Sequence, residues 1–162
     1  MPNVKRIPEG QNTIIPHLVV RGAADAIEFY KKAFGAVELG RMPMPDGKTL
    51  MHAHLRIGAS HLFLVDEMPD MGGCRAPASG AGCPVTLHLY VEDVDAAFNR
   101  AVAAGAQVKM PLMDMFWGDR FGKLADPFGY EWSLASHIED MPPEEMKKRG
   151  EAMMEKMGEC KP

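Results

Sequence analysis

Cysteine is scarce in this chain of 162 residues. Only Cys74, Cys83 and Cys160 occur, an odd number with no CxxC pair among them. That argues against a disulfide framework and against a zinc-ribbon type of site, and it sets the expectation of a reducing cytoplasm. For Cys74 and Cys83, two reduced surface thiols and a bond between them both stay open. No apolar run approaches the ~20 residues that a membrane span needs. The stretch from Pro2 to Gln11 is polar and broken by proline, so it does not read as a secretory signal. Excess basic charge is lacking too: 18 Lys and Arg stand against 22 Asp and Glu, for a net charge of -4. Without a basic face to neutralise phosphates, nucleic acid is not an expected partner. Apolar residues at 46% and charged residues at 25% are ordinary for a globular protein long enough for one domain with a sizeable core.

What the chain does contain is a repeat. Pro16-His17-Leu18-Val19-Val20 leads into a helical run ending at Phe34-Gly35-Ala36. Leu87-His88-Leu89-Tyr90-Val91 leads into a second one ending at Ala104-Gly105-Ala106. His17 and His88 sit at the same point of each copy, as do Gly35 and Gly105, at a period of about 70 residues. One supersecondary unit used twice creates a cleft between its copies.

The alternation of residues 13–20 predicts a strand with Ile14, Leu18 and Val20 on one face. Ala23 to Phe34 reads as a helix with Ile27, Tyr30 and Phe34 along one stripe and Gly35 as its C-cap. Extended structure resumes to Met42, and Pro45-Asp46-Gly47 supplies a turn. Strands follow at 50–57 and 60–66. In the first, Met51, Ala53, Leu55 and Ile57 alternate with His52, His54 and Arg56. The Gly-, Pro- and Ala-rich stretch 68–83 reads as a linker between modules 12–67 and 84–137. The second module repeats the order: strand 85–91, helix 93–104, a short strand at 106–110, a loop, strand 119–125, the turn Asp126-Pro127-Phe128-Gly129 and strand 130–136. A tail, 138–162, holds a helix ending near Met157. Its Met146, Met153, Met154 and Met157 are expected to pack on the domain or on a second subunit. The predicted class is α+β: two tandem βαβββ modules whose curled mixed sheets surround a concave cavity, plus a C-terminal helix.

At Phe116-Trp117-Gly118-Asp119-Arg120-Phe121-Gly122 and Asp126-Pro127-Phe128-Gly129-Tyr130-Glu131-Trp132 the chain resembles the PhnB-like branch of the vicinal oxygen chelate superfamily. That group includes glyoxalase I, extradiol dioxygenases, fosfomycin-resistance enzymes and bleomycin-binding proteins. The resemblance covers about residues 12–137 and implies the paired βαβββ fold and, usually, a homodimer. It also implies metal positions on the first and fourth strand of each module. Here these fall on Ile15, Leu64, Thr86 and Ser133, none of them a good ligand for a divalent cation.

A shift of two residues keeps a strand's face. His17, His88 and Glu131, with His54, then offer a displaced set suited to Zn, Ni or Fe. The competing reading makes the same side chains the polar lining of a pocket. Parity sets His17, His52, His54, His88 and Glu131 on the face away from the helices. Phe116, Trp117 and Phe121 can wall a flat ligand or fill the core beneath their loop. Arg120 can bind an anionic group or pair with an acid on the surface. Arg56 can hold a carboxylate, Asp126 reads as an Asx turn, and Cys74 has no base near it in sequence.

The leading expectation is a protein binding a small molecule in the concave cavity through His17, His54, His88, Trp117, Arg120, Phe121 and Glu131, without the usual metal ligands. The alternatives are a metal-dependent lyase, isomerase or transferase with Glu131 as ligand or proton carrier, and a dimerisation module acting through its tail.

Overall fold

The computed structural model describes residues 5–78 and 83–159, with side chains to residue 155. Cys160, the side chain of Met157 and linker residues 79–82 lie outside the described set. The first module runs β1 (His17–Val20), α1 (Ala23–Phe34), β2 (Val37–Pro43), β3 (Leu50–Ile57), β4 (Ser60–Asp66). After a 3-10 turn at Pro69–Met71 the second runs β5 (Thr86–Tyr90), α2 (Val94–Ala104), β6 (Gln107–Asp114), β7 (Asp119–Ala125), β8 (Glu131–His137), and α3 (Pro143–Glu159) closes the chain. Strand order is β1-β4-β3-β2 in one sheet and β5-β8-β7-β6 in the other. In both, the first strand is parallel to the fourth and the remaining pairs are antiparallel.

The helices begin and end for local reasons. The Asp66 carboxylate, from the end of β4, accepts the backbone N–H of Gly22 and Ala23 at 2.8 Å each and so caps α1 from a distance. In the second copy Ser136 accepts from Val94 N–H, and Asp93 accepts from Ala96 N–H. Gly35 and Gly105 end the two helices in the left-handed region, where a side chain is strained.

Each sheet buries the face beneath its helix. Leu18, Val20, Ala53, Leu55, Ile57, Leu62 and Leu64 pack under Ala26, Ile27, Tyr30 and Phe34 of α1. Leu124, Trp132 and Leu134 pack under Val94, Ala97, Phe98 and Ala101 of α2. Each Leu or Ile so buried contributes about 2 kcal/mol. The helices pack on one another, Trp132 lies tilted against Phe34 with ring centroids 4.3 Å apart, and the two cores merge into one. The opposite faces stay open, and within the chain the sheets do not close over a shared cup.

Three expectations are corrected. Ile14 is 82% exposed and precedes β1, because Pro16 has no N–H for a ladder. Met51 is exposed and Leu50 takes the buried place, where the β2–β3 register shifts between Met42 and Pro43. β6 continues to Asp114 instead of ending near 110, since Pro111 is tolerated on an outer edge strand. α3 rests on the loop before β7: Phe116 lies so close to Gly150 that a Cβ there would stand 3.1 Å from its ring, and Arg149 pairs with Glu139 and Glu145.

Candidate functional site

On the first sheet the register puts His54, Phe63 and His17 in one row across β3, β4 and β1. Phe63 is the centre of an edge-to-face group with ring centroids at 4.7 Å to His52, 4.9 Å to His54 and 5.8 Å to His17. His61, diagonal to His54, meets it nitrogen to nitrogen at 2.7 Å. Burial, and next the neighbouring His52, hold the His17 imidazole below its ordinary pKa. Burial, and then His61 and His52, do the same for His54.

On the second sheet Tyr90, Ala135 and Phe121 form one row, and His88, Ser133 and Lys123 the next. The small side chains of β8 make a floor between taller rings. His88 and Phe121 stand nearly parallel, 17° apart in plane with centroids at 6.1 Å. Ser133 Oγ fixes the His88 ring at 2.7 Å, and Tyr90 meets its edge at 4.5 Å. Trp117 continues the wall, 5.6 Å from Phe121. Tyr90, 60% exposed, keeps its ring in solvent.

Beneath this wall sits Asp119, only 3% exposed. Its carboxylate accepts from Tyr90 Oη at 2.8 Å, Trp117 Nε1 at 3.0 Å and His137 Nδ1 at 2.8 Å. Burial works against its charge, yet the three hydrogen bonds, led by that of His137, hold its pKa below the usual value. The same contact, with Asp140 on the other ring nitrogen, raises the pKa of His137. From sequence, Asp119 stands out only as the neighbour of Arg120 in the Phe116–Gly122 run. Strand alternation carries the missing signal, because Asp119 and Phe121 share one face and Arg120 takes the other.

Two cavities follow the seam between β1 and β5. One of about 650 Å³ is lined by His17, Cys74, Arg75, Cys83 and Tyr130 among others. One of about 180 Å³ is lined by His61, His88, Ile14 and Trp132 among others. Tyr130 bridges the seam, its hydroxyl donating to Val19 C=O at 2.9 Å and accepting from Val19 N–H at 3.0 Å.

The candidates therefore fall into groups. His17 and His54 share the first open face, and His88, Trp117 and Phe121 share the second. Glu131 is half-buried on β8, in register with Thr86 and Ala125. Arg120 does not join them. It is drawn to the helix side of β7, bidentate on Asp95 at 2.7 and 2.8 Å and bound to Asp114 at 2.9 Å. Arg56 donates to the carbonyl of Gly58. Asp126 does close its turn, accepting from Phe128 N–H and Tyr130 N–H.

The metal positions need one correction. His17 pairs with Phe63 as His88 pairs with Ser133, so the counterpart of Ser133 is Phe63. Leu64 lies one residue on, fully buried on the helix side. Neither Phe63 nor Leu64 can coordinate. The displaced set is not assembled: His17 belongs to the Phe63 group, His88 is tied to Ser133, and no three His, Cys, Asp or Glu among the described residues stand close enough to hold a metal ion. Among the described residues, the donors of one chain do not fit a three-ligand metal.

Paired βαβββ modules, merged through their helices and each presenting an open curled face, define the glyoxalase-type class of proteins. The chain belongs to the Glyoxalase/Bleomycin resistance protein/Dioxygenase superfamily, whose family model matches residues 12–134. It is 54% identical over 134 residues to the uncharacterised protein Mb0911c of Mycobacterium bovis, covering 82% of this chain and 88% of that protein. It is similar to the crystal structure of TioX from Micromonospora sp. ML1, with TM-score 0.62, 28% identity, and 78% and 99% of the two chains covered. The PhnB protein of Bacillus cereus shares the fold, with TM-score 0.61, 20% identity, and 77% and 99% covered.

Proposed function

We propose that this protein binds a small, flat organic molecule on its open sheet faces, chiefly against the wall of His88, Trp117 and Phe121. The observation that carries the reading is the near-parallel pair His88 and Phe121 standing over the small residues Ser133 and Ala135. Rings left facing solvent over a small-residue floor offer stacking area to a planar ligand at little cost in side-chain entropy. Glu131 supplies a polar partner at the edge of this face, and His17 and His54 supply theirs on the open face of the first sheet. Arg120 has no part in it, because two carboxylates already occupy its guanidinium. A homodimer would lay a second copy over these faces, and light scattering in solution would then read twice 17.8 kDa.

Fluorescence tests the reading directly. Trp132 is buried and Trp117 is part of the wall, so a bound ring quenches Trp117 alone. Titration with a panel of planar aromatic compounds should quench the parent protein and leave Trp117→Phe unchanged. Phe121→Ala should weaken binding about fivefold, the worth of one aromatic pair. Absence of quenching across the panel refutes the proposal.

A further inference from the structure

The hairpin of β3 and β4 carries two imidazoles that point at one another. His54 Nε2 and His61 Nδ1 are 2.7 Å apart, with ring planes 42° apart. Their strands are anchored next to the pair, where Leu55 and Leu62 are cross-strand partners and both are buried in the core. On the other side, β2 places Gly40 opposite His54, so no side chain crowds that flank.

A single proton holds the two nitrogens together, since one ring donates and the other accepts. Imidazole nitrogens bind transition cations at about 2.0–2.1 Å, so two ligands in adjacent positions stand roughly 2.8–3.4 Å apart. The observed pair needs to open by less than about 1 Å to exchange its proton for a cation. The donor ring passes its proton to its other nitrogen through solvent, so no proton is lost overall.

We propose that His54 and His61 form a two-histidine chelate for a divalent transition cation of the kind that prefers imidazole, Ni(II) or Cu(II) in class. The site lies on the third and fourth strands of the first module, apart from the positions expected on the first and fourth strands. It does not depend on a flat ligand at the second sheet. Among the described residues no third donor completes it, so water fills the remaining positions and the cation exchanges freely.

The test uses the full chain and the metal alone. Calorimetric titration with Ni(II) at neutral pH should find one cation per chain. His54→Gln and His61→Gln should each weaken it by about tenfold or more, and His137→Gln, at the far end of the other module's β8, should leave it unchanged. In the parent protein, substoichiometric Cu(II) should broaden the ring NMR signals of His54 and His61 before those of the other histidines, a readout that needs no variant to fold. Binding that survives both substitutions, that is lost instead in Cys74→Ser or Cys83→Ser, or that is absent in the parent overturns the proposal.

Discussion

The phenol of Tyr30, on α1 of the first module, donates a 2.7 Å hydrogen bond to Asp126, in the β7–β8 turn of the second. Asp126 also accepts from Trp132 Nε1 at 2.9 Å and from two backbone N–H groups of its own turn. One buried carboxylate therefore shapes a turn and joins the modules. Burial, and next the Asp126 charge, push the Tyr30 phenol well above its ordinary pKa, so it remains a donor.

Replacing Asp126 by Ala strands the buried Tyr30 and Trp132 donors together and should cost about 3 kcal/mol of stability. Tyr30→Phe leaves Asp126 its other donors and should cost only about 1 kcal/mol. Urea denaturation of the two variants checks the order; equal losses would show that Asp126 does not act on both modules.

The Asp119–His137 contact should make stability depend on pH in a defined sense. The folded pKa of His137 is raised, so its contribution is fully present below the unfolded value of 6.5 and is lost as pH rises through the folded pKa. The folded pKa of Asp119 is lowered, so its share is present above 3.8 and is lost as pH falls through its folded value. NMR titration of His137 should show its pKa falling toward 6.5 in Asp119→Asn.

His17 and His54 act in the opposite sense. Their folded pKa values are lowered, so the stability tied to their neutral forms is present above 6.5 and is lost as pH falls through the folded values. Between neutral and mildly acid pH, thermal unfolding should show His54→Gln losing less Tm than the parent protein, since the His137 contribution is common to both. An equal fall in the variant would assign the effect to other groups.

Gly118 holds the turn that carries Trp117. Its φ of +95° lies in the region that favours glycine, and a Cβ there would stand 2.2 Å from the backbone oxygen of Glu139. Gly118→Ala should cost about 2–3 kcal/mol and move Trp117, lowering the quenching by a flat ligand before the fold is lost. Unchanged quenching would mean that the position of Trp117 does not depend on this turn.

Arg120→Ala should leave ligand binding unchanged while loosening α2 from β7, since its partners are Asp95 and Asp114. A marked loss of affinity at constant Tm would restore Arg120 to the site.

The repeat, the helix ends and the two faces of each strand were legible along the chain because they rest on local chemistry. Glycine accepts the left-handed turn after each helix, Asp126 bonds its own turn, and alternation carries His17, His54 and His88 away from the buried aliphatics. Partner choice was not legible, because it depends on register between strands far apart in sequence. Register, not spacing, set Phe63 rather than Leu64 beside His17, brought His61 onto His54 and gathered Tyr90, Trp117 and His137 around Asp119. Packing of α2 on its sheet turned Arg120 to Asp95, and packing of α1 against the second module delivered Tyr30 to Asp126. A one-residue slip in pairing changes which side chains meet without changing any local pattern, so the faces could be read from the chain and the contacts on them only from the assembled fold.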